Sequence, residues 1–198
     1  MMPKNSKKII LFLLRNLEPI NMNQIAKKLD ISVGSVFKIL KDLEKREIVN
    51  HDNLGNAKYY RVNLKNEGSI KLFELILLEE KRMLTGYPKI YSDEIQKFDG
   101  AELIILFGSV LPSKNFKDVD VLFVTNKPKE VVDFCSELSK IRTKPVVPLI
   151  LKKEDLIKEI KSKKEVILSI IRNGVVLKGQ SVFLEVLKNV IIQRYLNS

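Results

Sequence analysis

Residues 103–124 read LIILFGSVLPSKNFKDVDVLFV. Two apolar runs flank a Gly108-Ser109 pair and an Asp118-Val119-Asp120 triplet. An extended chain sends alternate side chains to opposite faces, so Asp118 and Asp120 share one face and Val119 takes the other. Val121 to Val124 continue the triplet into a buried strand. Two acids at the rim of such a strand are costly unless a cation or hydrogen bonds satisfy them. Oxygen ligands of this kind suit Mg²⁺ or Mn²⁺, which makes Asp118 and Asp120 candidate metal ligands.

The order of strand, Gly-Ser, short helix and Asp-x-Asp on the next strand resembles the nucleotidyltransferase (polymerase-beta-like) superfamily in its minimal form. The resemblance implies a nucleoside triphosphate as ligand and two-metal transfer of a nucleotidyl group to a hydroxyl. It gives Asp118 and Asp120 the catalytic and metal-binding roles, and Gly108 and Ser109 the nucleotide-binding ones. Gly108 lets the backbone approach a phosphate. Ser109 and the amides of a following helix N-terminus would hold the triphosphate. The segment IIRNGVVLKG, residues 170–179, resembles the terminal part of the same minimal enzymes.

Departures from the pattern bear on activity. Val110-Leu111-Pro112-Ser113 stands where an Arg and a second Gly are usual. Eight residues separate Ser109 from Asp118, so the intervening helix is expected to be short. A third carboxylate is expected on a later strand, for which Val146-Val147-Pro148-Leu149-Ile150 is the best run, and it has no acid. Pro148 takes the expected position, and its missing N–H suits an edge strand. Glu154 and Asp155 read as the first turn of a helix. Glu154 is a candidate substitute ligand.

The 198 residues are 45% hydrophobic, enough for one large or two small domains. No apolar run approaches the roughly 18–20 residues of a membrane span, and no signal peptide is evident. One cysteine, Cys135, and one histidine, His51, exclude a disulfide framework and a Cys/His zinc site. Cytoplasmic residence, with no membrane partner, is the expectation. Cys135 is expected to be a small buried apolar residue and His51 a solvated loop residue. The net charge of +11 is uneven: residues 1–66 carry +7 and the remaining two-thirds +4. A basic first third suggests a polyanion partner, although lysine is frequent throughout.

Within that first third the order of elements says more than the charge. Ile10, Leu13, Leu14 and Leu17 have helical spacing over Lys7–Leu17, and Glu18-Pro19 stops that helix. Asn23 reads as the cap of a short helix over Gln24–Leu29, and Asp30-Ile31 as the turn. Ser32 caps the next helix, from Val33 to about Glu47, whose inward stripe is Val36, Leu40 and Leu43. Ile48-Val49, a turn at Asn53-Leu54-Gly55-Asn56 and Lys58–Val62 form a hairpin. This order, and the stretch NQIAKKLDISVGSVFKILKDLEKREIV, resemble winged helix-turn-helix regulators of the MarR and ArsR types. The resemblance implies that the second helix of the pair enters the major groove of double-stranded DNA. Ser32, Ser35, Phe37, Lys38 and Lys41 are then the candidate contacts on that helix, with Lys58 and Arg61 on the hairpin. Packing against a neighbouring element is the competing role for Phe37.

A linker helix is expected from Ser69 to about Thr85, apolar on more than one side, which suggests a homodimer. Gly86-Tyr87-Pro88 is expected to end it. Alternating elements follow: a helix near Tyr91–Phe98 and strands over Glu102–Phe107 and Val119–Val124. A helix over Lys129–Ile141 and a strand over Val146–Leu151 come next. Helices over Lys153–Ser162 and Lys164–Arg172, a strand at Val175-Val176-Leu177 and a last helix over Ser181–Leu196 complete the chain. The expected fold class is α+β. It comprises a winged helix (1–66), a linker or dimerisation helix (67–86) and a small mixed-sheet nucleotidyltransferase-like domain (87–198). Two functions fit. One is a DNA-binding regulator whose second domain binds nucleotide and divalent metal, in degenerate form. The other is an active nucleotidyltransferase acting on a protein or nucleic-acid hydroxyl, in an antitoxin-like role.

Overall fold

The computed structural model describes residues 2–112 and 115–196, so Ser113 of the stretch after Gly-Ser lies outside the described residues. The chain divides into two compact units, Met1–Ile76 and Leu77–Ser198.

The first unit holds α1 (Lys4–Arg15), β1 (Ile20–Asn21), α2 (Met22–Leu29), α3 (Val33–Lys45), β2 (Val49–Leu54) and β3 (Ala57–Val62). Its strands form one antiparallel sheet in the order β1-β3-β2. This is the expected winged helix with one added strand, β1, which pairs Ile20 with Tyr60. The start of α2 differs from the expected Asn23 cap. Asn21 is the cap, and its side chain accepts from the Gln24 amide while Gln24 reaches back to the Asn21 amide. That reciprocal pair satisfies two amides that the helix leaves open, which a cap at Asn23 would not. Asp30 ends α2 in the left-handed region, as its short side chain allows. Ser32 caps α3 through the Ser35 amide, and Val36, Leu40 and Leu43 are fully buried. The β2–β3 hairpin closes in two residues, Gly55 and Asn56, with Gly55 at φ +60°.

Helix α4 (Glu67–Arg82) follows. Its first turn is fixed within the first unit: Asn66 Oδ1 accepts from the Ser69 amide, and Ser69 Oγ donates to the Glu47 carbonyl. In the second unit, Lys81 Nζ donates to Gln96 Oε1 and to the Leu177 carbonyl, and burial pushes its pKa down. Gly86-Tyr87-Pro88 does not end this helix; it opens α5 (Gly86–Ile95). A proline is tolerated in a first turn, where its missing N–H has no partner to lose.

The second unit continues with β4 (Leu103–Phe107), β5 (Val119–Val124), α6 (Pro128–Ile141), β6 (Val146–Leu151), α7 (Lys153–Lys161), α8 (Glu165–Asn173), β7 (Val175–Lys178) and α9 (Gln180–Leu196). The sheet order is β6-β5-β4-β7, with β5 and β6 parallel and the other pairs antiparallel. Alternation along the strands divides the core in two. Ile104, Leu106, Val119, Val121, Phe123 and Val146 pack with Tyr91 and Ile95 of α5 and Val131, Cys135 and Leu138 of α6. Helices α8 and α9 meet β4. Gly174 lets α8 approach the sheet, because a Cβ there would lie 2.5 Å from Ile105 Cγ2. Cys135 is buried as expected, and burial pushes its thiol up to about 12.

Candidate functional site

The motif sits where β4 ends and β5 begins. Phe107 is in register with Asp120, so the chain leaves β4 beside the acid. Gly108 turns it at φ +81°, a conformation that suits glycine. The space there is also reserved: a Cβ on Gly108 would sit 2.1 Å from Asp120 Oδ2. Gly108 and Asp120 are thus one structural feature, in which a bare Cα lies against a carboxylate. The loop is anchored by Val110 and Phe116, both buried in the α5/α6 core. Phe116 meets Tyr87 and Tyr91 edge-on. Tyr91 Oη donates to the Lys144 carbonyl and accepts from the Lys144 amide, and Val119 N donates to the Pro145 carbonyl. These bonds fix the entry to β5 and so place Asp118.

Asp118 and Asp120 are half-buried and act on each other. Burial, then the charge of Asp118, raises the Asp120 carboxyl above the usual carboxylate range. Two acids held together at this cost suit one divalent cation that keeps waters and nucleotide phosphates as its other ligands. A two-metal arrangement needs more acids. Among the described residues no group of three His, Cys, Asp or Glu side chains is placed to hold a metal.

Three expectations for the motif are corrected. The segment after Ser109 is a turn over the described residues to Pro112, with the Leu111 amide on the Gly108 carbonyl, and not a helix. The expected helix N-terminus for the triphosphate is therefore missing there, although Ser109 is exposed beside Gly108. The position on β6 that faces Asp120 is Val147, not Pro148, because β5 and β6 pair in parallel with Asp120 opposite Val147. Pro148 shares its face with Val146 and Ile150, which pack on the α5/α6 side. Its edge position is as expected. Glu154 lies in the first turn of α7, past the far end of β6. Four steps along the strand, about 13 Å, separate Val147 from Leu151 before that turn, so Glu154 cannot join the pair.

A cavity of about 840 Å³ opens at Gly108. Phe107, Leu111 and Pro112 form one wall. The other is α8, whose Glu165, Ser169 and Asn173 recur every four residues beside Val166 and Ile170. Sequence alone does not mark the α8 residues as part of a site. Their four-residue spacing was legible, but only the fold turns that face to Gly108.

In the first unit, α3 presents Ser32, Ser35, Phe37, Lys38 and Lys41 on its exposed side. Phe37 is 51% exposed, so it does not pack into the core of its own unit. Lys58 is exposed on β3, while Arg61 is half-buried and pairs with Asp52 across the hairpin. His51 is not a solvated loop residue. It lies in β2 opposite Tyr60, half-buried, with Nδ1 against Glu44 of α3. The alternation of the hairpin turns its ring towards that helix.

Residues 9–52 match the MarR family model, and residues 91–182 match the model for polymerase beta, nucleotidyltransferase. The chain thus joins a MarR-like winged helix to a nucleotidyltransferase-like domain. Among solved structures it is similar to a mutant of Lactococcus lactis ZitR, at 18% identity over 71% of this chain and 75% of that one, with a TM-score of 0.37. A further ZitR mutant in apo form is 20% identical over 70% of this chain and 82% of that one, with a TM-score of 0.35. No curated protein matches the chain. No helix among the described residues is long and apolar enough to cross a membrane.

Proposed function

We propose that the protein is a homodimeric DNA-binding transcriptional regulator whose second domain binds a nucleotide with one divalent cation, Mg²⁺ or Mn²⁺, without transferring it. The observation that carries the second half is the β5–β6 register, which sets Val147 beside Asp120 where a further acid is needed. A bound cation would neutralise the phosphates. Asp118 and Asp120 would hold it, Gly108 would admit a phosphate to the backbone and Ser109 would donate a hydrogen bond to it. For DNA, the exposed side of α3 carries Lys38 and Lys41 for phosphates, Ser32 and Ser35 for polar contacts and Phe37 for a thymine methyl. Lys58 extends that face onto the hairpin. Arg61, half-buried and paired with Asp52 across the hairpin, is a further candidate contact there.

The intact Gly108–Asp120 geometry supports a second reading, an active nucleotidyltransferase. Equilibrium titration of the protein with nucleoside triphosphates and Mn²⁺, beside an Asp118→Asn/Asp120→Asn variant, tests the nucleotide site common to both readings. Binding lost in the variant supports it, and equal binding by both proteins sinks it.

A further inference from the structure

The cation and phosphate contacts at Asp118, Asp120, Gly108 and Ser109 leave the cavity along α8 unused. We infer that this cavity holds the nucleoside half of the nucleotide, with Ser169 and Asn173 meeting the edge of its base. The inference rests on the proposed nucleotide site and extends it along α8.

Gly108 both lines the cavity and lies against the Asp120 carboxylate, so a ligand with its phosphates at the acid pair can pass over Gly108 and extend along α8. About 840 Å³ is the size of a small-molecule site and far more than a triphosphate fills. Leu111, Pro112, Val166 and Ile170 give the cavity an apolar lining, which suits the flat faces of a base. The polar groups fit a base edge better than an anion. No Lys or Arg is among the described residues that line the cavity. Asn173 Nδ2 donates to Ser169 Oγ at 3.3 Å, which leaves the Ser169 hydroxyl to donate and Asn173 Oδ1 to accept. Glu165 stands one turn further out, where its charge repels phosphates. The anionic end of the ligand is thereby held at Gly108 and the neutral end on α8.

Binding of inorganic tripolyphosphate and of ATP, GTP, CTP and UTP, each with Mn²⁺, to the full chain separates the two halves of the site. Val166 is 66% exposed, so Val166→Trp fills the cavity without entering the core. Val166→Trp is expected to weaken all four nucleotides by about tenfold or more while tripolyphosphate stays within about twofold. Asn173→Ala is expected to change the ranking among the four by about fivefold or more, with tripolyphosphate again unmoved. Thermal unfolding of each variant checks that the fold is intact. Nucleotide affinity unchanged in Val166→Trp, or tripolyphosphate weakened as much as nucleotide, overturns the inference. If the unaltered protein binds tripolyphosphate but gains nothing from the nucleoside, this inference fails and the phosphate site stands. If it binds neither, the nucleotide reading fails and takes the inference with it.

Discussion

Replacing Gly108 by alanine tests whether the turn and the acid form a single device. Two costs follow from the coordinates. The backbone at φ +81° is strained for any residue with a Cβ, by about 1–2 kcal/mol. The added carbon would lie 2.1 Å from Asp120 Oδ2, against 3.4 Å for ordinary contact, so the carboxylate must retreat by about 1.3 Å. Asp120 Cβ would also stand only 3.2 Å from the new carbon, so turning the carboxylate aside does not relieve the whole contact. Gly108→Ala is therefore expected to lose about 1–3 kcal/mol in urea unfolding and at least about tenfold in binding of a Mn²⁺–nucleotide. A double-mutant cycle isolates the contact. In the Asp120→Ala background the 2.1 Å contact is gone and only the tight one to Cβ is left, so Gly108→Ala should cost little more than the backbone strain, a coupling of about 0.5–1.5 kcal/mol. Wild-type stability and binding in Gly108→Ala would refute the reasoning. Strict additivity in the cycle would show that the carboxylate is not what the alanine displaces.

Other outcomes follow from the same packing. Lys38→Ala with Lys41→Ala is expected to weaken DNA binding and to flatten its dependence on salt by about 2 in logarithmic slope; an unchanged slope, read from fluorescence anisotropy, removes both from the interface. Leu40→Ala, at a fully buried position on the inner face of α3, should cost about 2–5 kcal/mol in chemical unfolding, and a loss under 1 kcal/mol would contradict the packing. Cys135, whose thiol burial pushes up to about 12, should resist thiol reagents at pH 8 until the protein is unfolded, because only about one molecule in ten thousand is then thiolate. The sign of its effect on stability follows: between the ordinary value of 9.0 and about 12 the unfolded chain loses this proton before the folded one, so Cys135 destabilises the fold as pH rises through that range. Val147→Asp sets a third acid beside Asp120 and is expected to tighten Mn²⁺ binding in calorimetry; weaker binding would mean that β6 does not face the pair.

Long, strongly patterned elements were legible in the sequence. The buried runs at Leu103–Phe107 and Val119–Val124 need no more than period and apolarity. Ser32 with Val36, Leu40 and Leu43 fixes α3 by its cap and stripe. What escaped reading depends on partners distant in sequence. Ile20 and Asn21 are a strand only because Tyr59 and Tyr60 pair with them. Gly86-Tyr87-Pro88 carries signals for both a helix end and a helix start, and only the fold decides between them. The family pattern supplies a helix after Gly108, where the described residues to Pro112 form a turn. Whether Val147 or Pro148 faces Asp120 is a question of register, and a one-residue shift reverses the face. The α8 wall of the cavity was hidden for a similar reason: nothing local says that Ser169 and Asn173 look towards Gly108.

Incubation of the full chain with labelled ATP, GTP, CTP and UTP in Mg²⁺ or Mn²⁺ asks most directly whether the acid pair binds nucleotide without transferring it. Label would be followed on the protein itself, on operator DNA and on proteins of a cell extract. Saturable nucleotide binding that depends on Asp118 and Asp120 is expected, with no covalent label on any acceptor. Covalent label that vanishes in Asp118→Ala/Asp120→Ala would contradict it and establish an active nucleotidyltransferase.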